Sequence, residues 1–167
     1  MSDYILPEVW QNPTSMGGAW GGLNQPTAGA RFEQTLPKGD QPFQLYTLPT
    51  PNGIKATIML EELKELGVTQ AGYDAYRIKI GDGDQFGSDF VSINPNSKIP
   101  SMMDYSEDQP VRVFESANIL LYLAEKFGKL IPTDHAKSYG SSQLALLANR
   151  CCSLLRWWLW ALLPLCT

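Results

Sequence analysis

The sequence predicts an α/β domain built on a small mixed sheet. Three observations carry that expectation. Short segments of alternating apolar and polar residues interleave with segments of helical period. Glycines stand just past the apolar helical stripes. A polar loop joins two strand-like runs late in the region.

The elements follow in order. Pro42–Leu48 alternates apolar and polar, as a half-buried strand does. Ile54–Leu66 carries Ile58, Met59, Leu60, Leu63 and Leu66 on one helical stripe, and Gly67 ends it. Tyr73–Ile80 alternates again. Gly81–Asp84 is a turn, and Gln85–Ser92 has the makings of a short helix. Ile99–Met103 and Val111–Phe114 flank a loop holding Glu107, Asp108 and Pro110, which reads as a hairpin. Ser116–Phe127 is a helix with Ile119, Leu120, Leu123 and Phe127 on one face, closed by Gly128. The order β-α-β-α-β-β-α is the thioredoxin-like topology, with a parallel first β-α-β unit and a terminal hairpin.

Around this core, residues 1–40 are rich in Gly, Pro, Asn and Gln and read as an extended arm. Trp10, Trp20, Leu23 and Phe32 are its candidate anchors. The domain is expected over residues 41–132. Residues 133–167 change character: charges thin out and Trp157, Trp158 and Trp160 crowd together.

Composition excludes several classes. The chain has 167 residues, 44% hydrophobic and 18% charged, which supports a packed core rather than a disordered chain. A net charge of −4 with no basic run argues against nucleic-acid binding. One histidine, His135, and three cysteines, Cys151, Cys152 and Cys166, leave no set for a zinc site or a disulfide framework. The N-terminus has neither a basic stretch nor an apolar stretch of a signal peptide, so the expected compartment is the cytoplasm. The apolar run Cys151–Leu165 is short for a membrane span and carries Arg156, so no membrane partner is expected.

Three local features point to chemistry. Thr50-Pro-Asn-Gly53 lies between the first strand and helix, where a helix N-terminus favours a thiolate. No cysteine is present there, so a thiol would come with a ligand. The plain alternative is a turn and a helix cap. Asn96-Ser-Lys-Ile-Pro100 precedes the third strand; a cis Ile99–Pro100 bond would turn the Ile99 N–H and C=O outward, where a peptide could pair with them. The alternative is an ordinary loop. Glu115-Ser116 opens the last helix, where Ser116 can bond a carboxylate and Glu115 an ammonium; simple capping is the alternative. Together the three describe a small thiol peptide with a free α-amino acid end.

Several stretches resemble one family. Leu48-Pro-Thr-Pro-Asn-Gly, Ile58-Met-Leu-Glu-Glu, Gly81-Asp-Gly-Asp-Gln-Phe, Asn94-Pro-Asn-Ser-Lys-Ile-Pro and Val113-Phe-Glu-Ser-Ala-Asn are similar to the bacterial nu-class glutathione transferases. These are also called glutathione-dependent disulfide-bond oxidoreductases. Gly17-Gly-Ala-Trp and Asn24-Gln-Pro resemble its longer-armed members. The resemblance implies a thioredoxin-like domain, a helical C-terminal domain, a homodimer, and glutathione as co-substrate in reducing small disulfides, with weak action on electrophiles. It assigns Thr50 and Asn52, with Pro51 between them, to the reacting sulfur. Lys98 and Ile99 would hold the peptide backbone, and Glu115 and Ser116 the γ-glutamyl end. Gln85 and Asn24 would supply further glutathione contacts. Pro49 stands where the family is expected to have glycine. A non-catalytic glutathione-binding or interaction module is the alternative function, and a degraded gene product without a stable fold a third.

The tail departs from the family. Read one base later, permissible codons for 139–167 can encode TEVLNWLFWQIGAAPFFGGGFGHFY, which looks like the opening of the family's helical domain. The expectation is a one-base frameshift near Lys137–Ser138, and a truncated chain whose dimer and activity are in question.

Overall fold

The computed structural model describes residues 29–134 and 137–140, with single positions at 8 and 143. The anchors Trp10, Trp20 and Leu23, the contact Asn24, His135, the three cysteines and the tryptophan-rich tail lie outside the described residues.

Four strands form one sheet: β1 (Phe43–Thr47), β2 (Tyr73–Arg77), β3 (Ser101–Asp104) and β4 (Val111–Phe114), in the order β2-β1-β3-β4. β1 and β2 are parallel, with Phe43 opposite Tyr73 and Thr47 opposite Arg77. β3 is antiparallel to both β1 and β4. Helices α1 (Pro51–Glu65), α2 (Ser88–Ile93) and α3 (Ser116–Phe127) accompany the sheet. The expected thioredoxin-like order is therefore present, with a mixed sheet.

Strand periodicity divides the core into two layers, because successive side chains point to opposite faces. Phe43, Leu45, Met102 and Val113 pack with Met59, Leu60 and Leu63 of α1 and Ile119, Leu120 and Leu123 of α3. Tyr46 and Ile78 pack on the other face with Phe90 and Ile93 of α2. Burial at this scale is the main stabilising term, roughly 1.5–3 kcal/mol for each large apolar side chain removed from water.

Local differences from expectation have identifiable causes. β1 is not half-buried: Gln44 is fully buried beside Tyr46. Its carboxamide is satisfied, since Nε2 donates to Gln41 O and Asp74 Oδ2 while Oε1 accepts from Gly39 N–H. A polar residue so bonded can be covered at little net cost. α1 begins at Pro51, three residues before the expected start, because Pro51 is preorganised for the first helical position and Thr50 caps it. β2 stops at Arg77, and Ile78 instead closes the second core layer. The segment after the turn divides in two: a 3-10 turn at Asp84–Phe86, then α2 from Ser88. β3 begins at Ser101, just after the cis Ile99–Pro100 bond. Gly128 closes α3 at φ +60°, a conformation glycine adopts without steric cost.

The described part of the arm is tied to the domain mainly by its backbone. Phe32 O accepts from Ser88 N–H and Arg31 N–H donates to Phe86 O. Gln34 N–H donates to Ser88 Oγ at 2.9 Å, and Leu36 N–H to Asp89 Oδ2 at 2.9 Å. The anchor expected at Phe32 is not a side-chain anchor, since that ring is 44% exposed. Among the described arm residues, Leu36 makes the apolar contact with the α2 layer. The sequence reading passed over it because a lone leucine in a polar stretch has no period.

Candidate functional site

Sheet register gathers the candidate residues before any side chain is considered. Tyr46 of β1 lies opposite Ser101 of β3, and Ser101 opposite Phe114 of β4. That row marks one end of the sheet. β1 leaves it toward Thr50, Pro51 and Asn52; the Lys98–Ile99 segment enters it; β4 leaves it toward Glu115 and Ser116. β2 ends on the same side, with Arg77 opposite Thr47, and its continuation carries Gln85. Every described candidate thus leaves or enters the sheet at the same end.

At the first loop, Thr50 Oγ1 accepts from Gly53 N–H at 3.2 Å and is the N-cap of α1. The cap alternative is what the side chain does here, and Pro51–Gly53 is helix rather than turn. The hydroxyl still carries a proton to donate. Asn52 is half-buried, and its Oδ1 accepts from Lys55 Nζ at 2.8 Å. Gly53 is required: a Cβ there would run into Leu48 O and Thr47 Oγ1.

The loop before β3 is braced by Asn94, which is fully buried. Its Nδ2 donates to Lys98 O at 2.7 Å and its Oδ1 accepts from Asn96 N–H at 2.9 Å. Ser101 Oγ also donates to Lys98 O, at 3.1 Å. The Lys98 carbonyl is therefore already committed. Burial pushes the Lys98 ammonium pKa down from its ordinary value. Among the described residues, no hydrogen-bond partner falls to the Ile99 backbone. Sequence reasoning missed Asn94 as a support; the signal was the Asn-Pro-Asn-Ser run, whose side chains bond their own backbone in turns.

Glu115 sits at φ +69°, a conformation that costs a non-glycine residue of order 1–3 kcal/mol. It is exposed, and its carbonyl accepts the Ile119 N–H that starts α3. Ser116 follows as the first residue of α3 and is buried. Gln85 is 2% exposed, and among the described residues no donor meets its Oε1. An unmet buried carbonyl oxygen is costly, about 1–3 kcal/mol; Gln34 Oε1 and Ser97 Oγ are likewise unmet among the described residues.

A cleft of about 480 Å³ lies between α1 and edge strand β2, running from Ile58, Ala75 and Tyr76 up to Leu48, Pro49 and Gly53 on the connection beside Thr50. It does not include Ile99, Glu115 or Ser116. Among the described residues no cluster of His, Cys, Asp and Glu could hold a metal ion. No helix among them is long and apolar enough to cross a membrane.

Against solved structures, the chain is similar to the glutathione transferase YghU of Streptococcus pneumoniae, crystallised with glutathione. Identity is 60% and the TM-score 0.79, covering 87% of this chain and 56% of that one. The fold is that of a glutathione transferase's thioredoxin-like domain. In sequence, the chain is 61% identical over 137 residues to a GST-like protein of Streptococcus mutans, covering 82% of this chain and 52% of that protein. It is 60% identical over 134 residues to the disulfide-bond oxidoreductase YghU of Escherichia coli, covering 80% and 46%. No protein-family model matches. The chain spans about half the length of the curated relatives it matches.

Proposed function

We propose that this chain binds glutathione at the end of the sheet that carries Thr50, Ile99 and Glu115, and reduces small disulfides with it. The observation that carries the reading is the convergence of the four loops on that end, with the Ile99 peptide group unpaired among the described residues. The likeness to a YghU structure holding glutathione and to a disulfide-bond oxidoreductase supports it.

The residues divide the work. The Ile99 N–H and C=O pair with the ligand backbone as an added strand would. Lys98, its carbonyl committed, contributes its side chain or N–H. The α3 N-terminus at Ser116 takes the γ-glutamyl carboxylate, and Glu115 and Gln85 take its ammonium. The sulfur then lies at the N-terminus of α1, where Thr50 and Asn52 donate to it and the helix dipole favours the thiolate. Pro51 lines this slot, and Asn24, outside the described residues, keeps the further glutathione contact that the family resemblance assigns it.

The reaction balances without a protein cysteine. A glutathione thiolate attacks one sulfur of the substrate disulfide, and the other sulfur leaves as a thiolate that takes up a proton. A second glutathione thiolate attacks the glutathione sulfur of the mixed disulfide, releasing the second substrate thiol and oxidised glutathione. Two electrons pass from two thiols to one disulfide.

The domain division at 41–132, a homodimer and a cytoplasmic setting belong to the same proposal. The test is turnover of a small aromatic or hydroxyethyl disulfide with glutathione, beside calorimetric binding of glutathione. Thr50→Ala should lower turnover by about tenfold or more while Thr50→Ser retains most of it. Unchanged turnover in Thr50→Ala removes its assigned role. Binding without turnover would leave a glutathione-binding module, and absence of both would remove the site.

A further inference from the structure

Lys55 is the least expected residue near the sulfur end of this site. It is 4% exposed and lies in the second turn of α1, whose first turn carries no acidic residue. A buried cation is costly, and the N-terminal end of a helix is the end that cations disfavour. Two opposing terms therefore act on one lysine, and a residue needed only for packing would avoid both. One of its contacts bears directly on the site: Nζ donates to Asn52 Oδ1 at 2.8 Å, three residues back on the same helix.

That bond decides which way the Asn52 amide faces. An ammonium has donors and no acceptor, so only the carbonyl oxygen of Asn52 can meet it. Oδ1 is thereby committed to Lys55, and the Nδ2–H groups are what Asn52 keeps for a ligand. A donor offered to sulfur stabilises the thiolate over the thiol. An acceptor offered to sulfur would do the reverse. The lysine also places a positive charge close behind the amide, in low-dielectric surroundings where it acts strongly.

We propose that Lys55 is a positioning residue for the thiolate: it fixes Asn52 with its amide donors toward the glutathione sulfur and so raises the fraction of bound glutathione that is ionised. The inference rests on the glutathione reading above. It assigns Lys55 no contact with the ligand, so binding and ionisation should separate on its removal.

The experiment uses the full chain and reduced glutathione. Affinity is measured by calorimetry, and the thiolate fraction of bound glutathione by ultraviolet difference absorbance near neutral pH. Lys55→Met should bind glutathione within about twofold of the unsubstituted protein yet show a several-fold lower thiolate fraction. Lys55→Arg, which retains charge and donors, should restore most of it. Asn52→Ala should lower the thiolate fraction by itself, and adding Lys55→Met to it should change little further. Where Lys55→Met does not fold by circular dichroism, Lys55→Gln takes its place. An unaltered thiolate fraction in a variant that binds glutathione overturns the role of Lys55 alone. A full-sized fall that persists in the Asn52→Ala background overturns the route through Asn52. Absence of glutathione binding in the unsubstituted protein instead overturns the site reading on which the inference stands.

Discussion

Gly53 shows how one residue can hold a site together without any chemistry of its own. Its position in the first turn of α1 brings the backbone against Leu48 O and Thr47 Oγ1, and no Cβ fits between them. Gly53 also gives its N–H to the Thr50 cap. Gly53→Ala should therefore cost about 1–3 kcal/mol, although alanine is intrinsically the better helix former. Urea unfolding followed by circular dichroism checks this; a stabilised Gly53→Ala would show that the loop relaxes freely. In sequence this glycine read as turn chemistry in Pro-Asn-Gly. Only the approach of the β1–α1 connection shows why it cannot carry a side chain. Thr50 was legible in both its guises, cap and sulfur donor, because a hydroxyl before a helix start serves either purpose.

The hairpin and last helix are joined at the element scale by a buried carboxylate. Asp104, at the end of β3, is fully buried and accepts from Tyr122 Oη of α3 at 2.7 Å and from Ser106 N and Oγ, both at 2.7 Å. Lys126 of α3 lies 3.0 Å from it and also pairs with Glu107 in the hairpin loop. Burial by itself would raise the Asp104 pKa; the bonds from Ser106, Tyr122 and Lys126 outweigh it and hold the carboxyl below its ordinary value. Burial likewise opposes the Lys126 charge, and Glu107 and Asp104 outweigh it and raise its pKa. Burial, then the bond to Asp104, pushes the Tyr122 hydroxyl up to about 12. The sign for stability follows from the depressed carboxyl. Its contribution is present above the unfolded value, near pH ~3.9, and is lost as pH falls through the lower folded value. Thermal midpoints should fall in that acid window. Asp104→Asn should flatten that fall and cost roughly 1.5–3 kcal/mol at neutral pH. A variant with the same acid profile as the unsubstituted protein would remove Asp104 from this role. None of this was legible in the sequence, where Asp104 fell just past the strand expected over Ile99–Met103 and Tyr122 and Lys126 were helix positions. The elements themselves were legible, since α3 has a clear apolar stripe and a closing glycine.

Across the whole molecule, the sheet has two unlike ends. One carries Thr50, Gln85, Ile99 and Glu115; the other carries the Glu107–Pro110 loop and the start of β1. Ligand binding should register at the first end only. In a backbone-amide NMR titration with glutathione, the signals of Gly53, Phe86, Ile99 and Ser116 should shift, while those of Asp108 and Gln109 should not. Equal shifts at both ends would remove the assigned site. The expected frameshift at Lys137–Ser138 has its own direct check in the nucleotide sequence across those codons.

The sequence by itself determined the element order, the two apolar helix stripes, the hairpin and the thioredoxin-like topology. These follow from periodicity and from residues with strong local preferences, such as Gly67 and Gly128, and local preferences are written where they act. It also named Thr50, Ile99 and Glu115 in separate loops, each with an ordinary structural alternative beside it. Only the tertiary structure decided that these loops share one end of the sheet. It also decided that Gln44 is buried and satisfied, that Asn94 braces the Lys98 carbonyl, and that Lys55 is turned inward onto Asn52. Those are contacts between residues distant in the chain, or choices of side-chain direction, and both depend on which surfaces close over one another when the layers pack.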